Sequence, residues 1–203
     1  MKGNLGFGCM RLPVIGGSAE NIDIEEFGKM VDEFIDAGFT YFDTSYVYHN
    51  GKSEEAVREA VVKRHPRDSF TVATKFPTFA LESEDQAEKI FAQQLENLGV
   101  DHVDYYLLHT LNRKLYNGTD GKGGVVKTCH LFEHAAKWKE EGKIKHLGFS
   151  FHDTPEMLDE ILTDHPEVEF VQIIINYFDW DSYFVQSGKC YDVIRKHGKK
   201  VVI

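Results

Sequence analysis

Asp23-Ile24-Glu25-Glu26-Phe27-Gly28-Lys29-Met30-Val31-Asp32-Glu33-Phe34-Ile35-Asp36-Ala37-Gly38-Phe39-Thr40-Tyr41-Phe42-Asp43 is the pattern on which the rest of the chain is built. Ile24, Phe27, Val31 and Phe34 recur at helical spacing and predict a helix with one apolar face. Asp23 with Glu26 reads as a capping box at its start. Gly38 accepts the left-handed backbone that ends a helix. The apolar run 39–43 then follows as a strand, and an acid closes it.

The pattern recurs along the chain. Ser53-Glu54-Glu55 opens a second helix, its acids at the positive end of the dipole, and Pro66 ends it before a strand at 70–75. Ser83 with Gln86 caps a helix that Gly99 closes, and a strand at 103–109 follows. Further pairs are expected at 128–141 with 144–150, from Thr154-Pro155 (proline at the first helical position) with 169–175, and at 182–197 with a strand after Gly198. With residues 5–10 in front, seven strands alternate with six helices.

Strands apolar on both faces, alternating with helices, form a parallel sheet covered by helices. An open doubly wound sheet would carry G-x-G-x-x-G, but Gly6-Phe7-Gly8-Cys9-Met10-Arg11 lacks the third glycine. A (β/α)8 barrel places its chemistry at the carboxyl ends of several strands, where Asp43, Lys75 and His109 fall. The expected fold is therefore α/β, a (β/α)8 TIM-type barrel in one domain over 1–203. Such a barrel takes about 250 residues and eight strands. This chain stops within its seventh, so the expected barrel is incomplete and the chain the larger part of a longer protein.

With 203 residues the chain can bury one sizeable core. Its net charge of -10 argues against nucleic-acid and anionic-membrane partners. No apolar run has the length of a membrane span, and no signal-peptide pattern opens the chain. Cys9, Cys129 and Cys190 are far apart, which fits a reducing cytosol and predicts a cytoplasmic protein without cysteine metal sites.

Asp43, Tyr48, Lys75 and His109 carry the chemistry. Each alone has an ordinary explanation: a turn cap, a packed aromatic, a paired lysine, a core histidine. Together, from successive βα units, they supply an acid, a phenol, an amine and an imidazole. A phenol with an ordinary pKa of about 10 is a weak acid, and a neighbouring ammonium stabilises its anion. A carboxylate would hold that ammonium, and a histidine could orient a carbonyl oxygen. The missing partner is a hydride source, which points to a nicotinamide cofactor.

The chain resembles the aldo-keto reductase family over nearly its whole length. The resemblance rests on Leu5-Gly6-Phe7-Gly8-Cys9-Met10-Arg11-Leu12-Pro13, on Phe42-Asp43-Thr44-Ser45-Tyr46-Val47-Tyr48 with Gly51-Lys52-Ser53-Glu54, on Thr74-Lys75, on Leu107-Leu108-His109, on Leu147-Gly148-Phe149-Ser150 and on Val171-Gln172. It implies an NAD(P)(H)-dependent oxidoreductase that reduces an aldehyde or ketone, with NADP(H) favoured over NAD(H). Tyr48 would be the general acid, tuned by Lys75 and Asp43, with His109 orienting a small-molecule carbonyl substrate. Ser150 and Gln172 match positions that hold the nicotinamide carboxamide, and Cys9 and Met10 match a loop lining the cofactor. Where many members follow that serine with asparagine, this chain has Phe151-His152. The opening is also similar to bacterial members that carry a trailing iron–sulfur domain, which would lie beyond residue 203.

A cofactor-binding regulatory subunit with little turnover is the alternative within the same resemblance. A third and lesser reading, a zinc hydrolase, comes from His130-Leu131-Phe132-Glu133-His134, an H-x-x-E-H pattern; its polar face is most simply that of a solvated helix. His49, His102 and His152 are further candidates for the barrel mouth. Residues 117–124, rich in glycine, read as a loop after the His109 strand.

Overall fold

Four phenylalanines tie the first strand–helix–strand together. Phe7 packs on Phe27, Phe34 and Phe42, with ring centroids 5.6, 5.5 and 5.7 Å apart, and Phe34 lies edge-on to Phe42 at 5.2 Å. They join β1 (Gly6–Gly8), α1 (Ile24–Asp36) and β2 (Tyr41–Asp43). Asp23 caps α1 by accepting from the Glu26 N–H at 3.0 Å. Its own N–H donates to the Pro13 carbonyl instead of to Glu26, so the capping box closes on one side only.

The computed structural model describes residues 5–119 and 122–203, which divide into two compact units, the described residues of 5–77 with 88–105 and those of 78–87 with 106–119 and 122–203. In the first unit β2 pairs in parallel with β1 and with β3 (Thr71–Phe76), placing Asp43 opposite Gly8 and Ala73. Strand order there runs β1-β2-β3-β4, where β4 spans Val103–Leu111 and its first residues lie in this unit. Helix α2 (Ser53–Val57) continues as a π turn over Arg58–Val62. Helix α3 is Gln86–Leu98. Its Gln86 side chain accepts from the Glu82 N–H, while the Ser83 hydroxyl turns to Asp85, so Ser83 is not the cap its position suggests.

In the second unit the order is β4-β5-β6-β7, with β5 Ile144–Phe151, β6 Phe170–Gln172 and β7 Lys200–Val202. β5–β6 and β6–β7 are parallel, with Ser150 opposite Gln172 and Gln172 opposite Val202. The expected helix at 128–141 is two helices, α5 (Val125–Thr128) and α6 (Leu131–Glu140), preceded by α4 (Arg113–Asn117). His130, left-handed at φ 49°, breaks them apart. α7 (Pro155–Asp164) starts as read, with Thr154 accepting from the Met157 N–H. α8 (Ser187–Lys196) is shorter than 182–197, because Asn176 and Ser182 side chains take the preceding amides into turns. Of residues 117–124, Asp120 and Gly121 lie outside the described residues. Asn117 is held by Glu160 and Gly124 by the Tyr116 carbonyl.

Close packing sets the β5–β6 register. A Cβ added at Gly148 would stand 2.6 Å from the Phe170 ring and from its carbonyl oxygen. Gly148→Ala is therefore expected to cost about 1–3 kcal/mol, the range for overpacking, measured as a lowered midpoint of urea denaturation.

Candidate active site

Alternation along β2 and β3 sorts the first unit's side chains into two sets. Phe42 and Thr74 turn toward the helices, and Tyr41, Asp43 and Lys75 turn the other way. The Lys75 ammonium, only 1% exposed, donates to Asp43 Oδ1 and, at 2.9 Å, to the Thr44 carbonyl. It lies 4.8 Å from the centre of the half-buried Tyr48 ring. A buried charge needs such pairing to persist. Asp43 uses its second oxygen to accept from the Tyr41 hydroxyl at 3.3 Å. Burial first, then the charge of Asp43, push the Tyr41 phenol well above its ordinary pKa. Tyr41 therefore stays a neutral donor to Asp43, a partner that sequence reading missed.

Behind β3 stands a second buried acid. Glu54, in the first turn of α2, accepts from Thr74 Oγ1 at 2.6 Å, Gln94 Nε2 at 2.9 Å and Asn97 Nδ2 at 3.0 Å. Gln94 also donates to the Lys75 carbonyl at 3.1 Å, so this network fixes the backbone that carries the lysine. Burial raises the Glu54 carboxyl to about 7, despite three hydrogen bonds that favour its charged form. The folded protein then holds this proton more tightly than the unfolded chain. Its stabilising effect is complete below the unfolded value near 4.5 and is lost as pH rises toward 7. Glu54→Gln should remove on the order of 2–3 kcal/mol of this decline, seen as a flatter profile of unfolding free energy between pH 5 and 8.

Other residues of the first unit complete the picture. The Cys9 thiol is fully buried, and burial and Asp43 raise its pKa. Its carbonyl accepts from the Ser53 hydroxyl at 3.2 Å, and Ser53 in turn bonds Thr44 Oγ1. Met10 is 54% exposed. His49 bonds the backbone of residues 12 and 19. His102 sits at the amino-terminal start of β4 against Asp101, away from the strand's carboxyl end, so it does not belong with His109.

In the second unit His109 is buried near the carboxyl end of β4, its carbonyl accepting from Thr78 and its ring 5.8 Å from Phe79. The next residue, Thr110, takes φ 61°, a rare conformation for a β-branched side chain. Its N–H donates to Ser150 Oγ at 2.7 Å. Ser150 thus holds the strained end of the His109 strand. Strain of this kind gathers at functional sites. Beyond Ser150 a cavity of about 150 Å³ is lined by His152, Ile173, Phe184 and Cys190, among others. Burial lowers the pKa of His152, keeping it neutral.

The H-x-x-E-H pattern does not assemble a ligand set. His130 precedes α6, and both His130 and His134 turn to Glu84, at 3.2 and 3.4 Å. Among the described residues no group of three or more His, Cys, Asp or Glu side chains is placed to hold a metal. Nor is any of their helices long and apolar enough to cross a membrane.

A model of the Aldo/keto reductase family matches residues 4–203. The chain belongs to that family. It is 32% identical over 153 residues to an aldo-keto reductase of Mycolicibacterium vanbaalenii, covering 74% of this chain and 49% of that protein. It is 28% identical over 155 residues to an aldo-keto reductase [NADP(+)] of Schizosaccharomyces pombe, covering 72% and 42%. The chain thus spans about half the length of the curated relatives it matches. The crystal structure of an aldo-keto reductase from Klebsiella pneumoniae in complex with NADPH superposes with a TM-score of 0.73, at 20% identity, over 98% of this chain and 62% of that one. The fold is therefore that of the aldo/keto reductases, and the seven strands are barrel strands.

Proposed function

We propose that the protein is an NADP(H)-dependent reductase of aldehydes or ketones, with Tyr48 as the proton donor. The observation that carries this reading is the Lys75 ammonium, paired to Asp43 and standing 4.8 Å from the Tyr48 ring. NADPH, when bound, supplies hydride to the carbonyl carbon. As the carbonyl oxygen becomes an alkoxide, Tyr48 donates its hydroxyl proton to it. The buried cation beside the ring stabilises the phenolate left behind. Asp43, braced by Tyr41, keeps that cation in place. His109 is assigned the orienting hydrogen bond to the carbonyl oxygen.

The donor set suits the nicotinamide. Ser150 and Gln172 are register partners on β5 and β6, offering a hydroxyl and a primary amide to a carboxamide that both donates and accepts. The thiol of Cys9 faces the core, so of the two first-loop residues Met10 is the one proposed to meet the cofactor. A small-molecule carbonyl is the substrate class.

The test follows deuterium from NADPH dideuterated at C4 into the alcohol formed from a panel of reactive aldehydes and ketones. Label in the product supports the reading. NADPH binding without label transfer would favour the regulatory role, and the absence of both binding and transfer would overturn the reductase reading.

A further inference from the structure

The turn that carries Tyr48 is held in a backbone conformation its own residues disfavour. His49 (φ 52°, ψ 44°) and Asn50 (φ 52°, ψ 39°) are left-handed in succession, followed by Gly51 at φ 86°. Glycine takes this conformation freely, while histidine and asparagine tolerate it better than most side chains but as single residues rather than in succession. Two adjacent non-glycine residues persist there when their surroundings over-determine them. Within the turn the Lys52 N–H closes on the His49 carbonyl at 3.0 Å, and the surroundings hold the side chains of His49 and Asn50.

Those surroundings are supplied by residues 12–22. Val14 bridges Ile22, the Ile15 N–H donates to the Asn21 carbonyl at 2.8 Å, and Gly16 and Gly17 turn the chain. His49 reaches this hairpin at two points. Its Nε2 accepts the Leu12 N–H at 3.0 Å, and its Nδ1 lies 2.7 Å from the Ala19 carbonyl. Asn50 adds a third tie by donating to Glu20 Oε1 at 3.1 Å. An amide N–H only donates and a carbonyl only accepts. The ring is therefore neutral and carries its proton on Nδ1. Both nitrogens are committed to backbone, so this imidazole has no acid–base role of its own.

We propose that His49 is the positioning residue for Tyr48: its imidazole pins the strained 48–51 turn to the hairpin at 12–22 and so fixes where the phenol stands. The inference rests on Tyr48 as proton donor. It predicts that losing the pin misplaces the proton donor without removing it, lowering kcat and leaving KM nearly unchanged. Misplacement of about 1 Å suffices for a large loss of rate.

His49→Ala and His49→Gln separate positioning from general damage. Glutamine keeps an amide oxygen to accept from Leu12, and alanine keeps nothing. His49→Ala is expected to lower kcat for aldehyde reduction about 10- to 100-fold, and His49→Gln to recover most of that loss. In the wild type, 15N spectra should show a protonated Nδ1 and an unprotonated Nε2. Amides 48–52 should lose hydrogen-exchange protection in His49→Ala and keep it in His49→Gln. Wild-type kcat in His49→Ala, equal losses in both variants, or a protonated Nε2 would each overturn the proposal. A wild type that reduces no carbonyl defeats the reading of Tyr48 instead. Exchange at 48–52 then decides the pin alone, and unchanged protection in His49→Ala overturns it.

Discussion

Tyr48→Phe is expected to lower turnover of a reactive aldehyde by about 10²- to 10⁴-fold, the range for losing a positioned general acid, while NADPH affinity stays unchanged. The substitution removes one oxygen and its proton. The ring remains, half-buried, 4.8 Å from the Lys75 ammonium, so packing and the cation–π contact survive. The loss should therefore fall on kcat. The check is NADPH oxidation under saturating cofactor, with the cofactor dissociation constant measured by fluorescence quenching. Wild-type turnover in Tyr48→Phe would remove Tyr48 as the acid.

Lys75→Met is expected to destabilise the fold by about 3–5 kcal/mol, the range for breaking a buried ion pair, and to abolish turnover. The methionine matches the alkyl stem but leaves the Asp43 carboxylate buried without the cation that faces it, the Tyr41 hydroxyl still donating to it. The Thr44 carbonyl also loses its donor. Asp43→Asn combined with Lys75→Met removes both charges, so most of the stability should return while turnover does not. Urea denaturation of both variants beside NADPH-oxidation rates decides this. If the double variant is as unstable as Lys75→Met alone, the unpaired charge is not the cause.

These two expectations draw on different sources. The strand-ending residues Asp43, Lys75 and His109 were legible because a strand's polar end after an apolar run is a local pattern. The Asp43–Lys75 pair followed once β2 and β3 were neighbours. Tyr41 was not legible as the second partner of Asp43. Strand alternation puts Tyr41 on the face of Asp43, but whether its hydroxyl reaches the carboxylate depends on how the ring packs between strands. Glu54 read as an ordinary acid at a helix start, yet it is fully buried under Thr74, Gln94 and Asn97. That burial depends on how α2 and α3 lie against β3. His49 read as a candidate for the mouth, while its ring is spent on the backbone of a hairpin thirty residues earlier.

Helix limits show the same division. The first turns at Asp23 and Thr154 were visible, because a cap is a contact across three residues. The break at His130 was not, since a left-handed residue without glycine answers to tertiary packing rather than to its own preference. The sequence by itself determined the alternation of helices and parallel strands, the family, and the residues at the strand ends, because periodicity and motifs are properties of neighbours along the chain. Tertiary structure alone decided which groups hold those residues: Tyr41 on Asp43, Gln94 on the Lys75 carbonyl, Ser150 on Thr110, His49 on Leu12 and Ala19. Each is a hydrogen bond whose two ends find each other only through strand register and packing, and burial is what makes satisfying each of them obligatory.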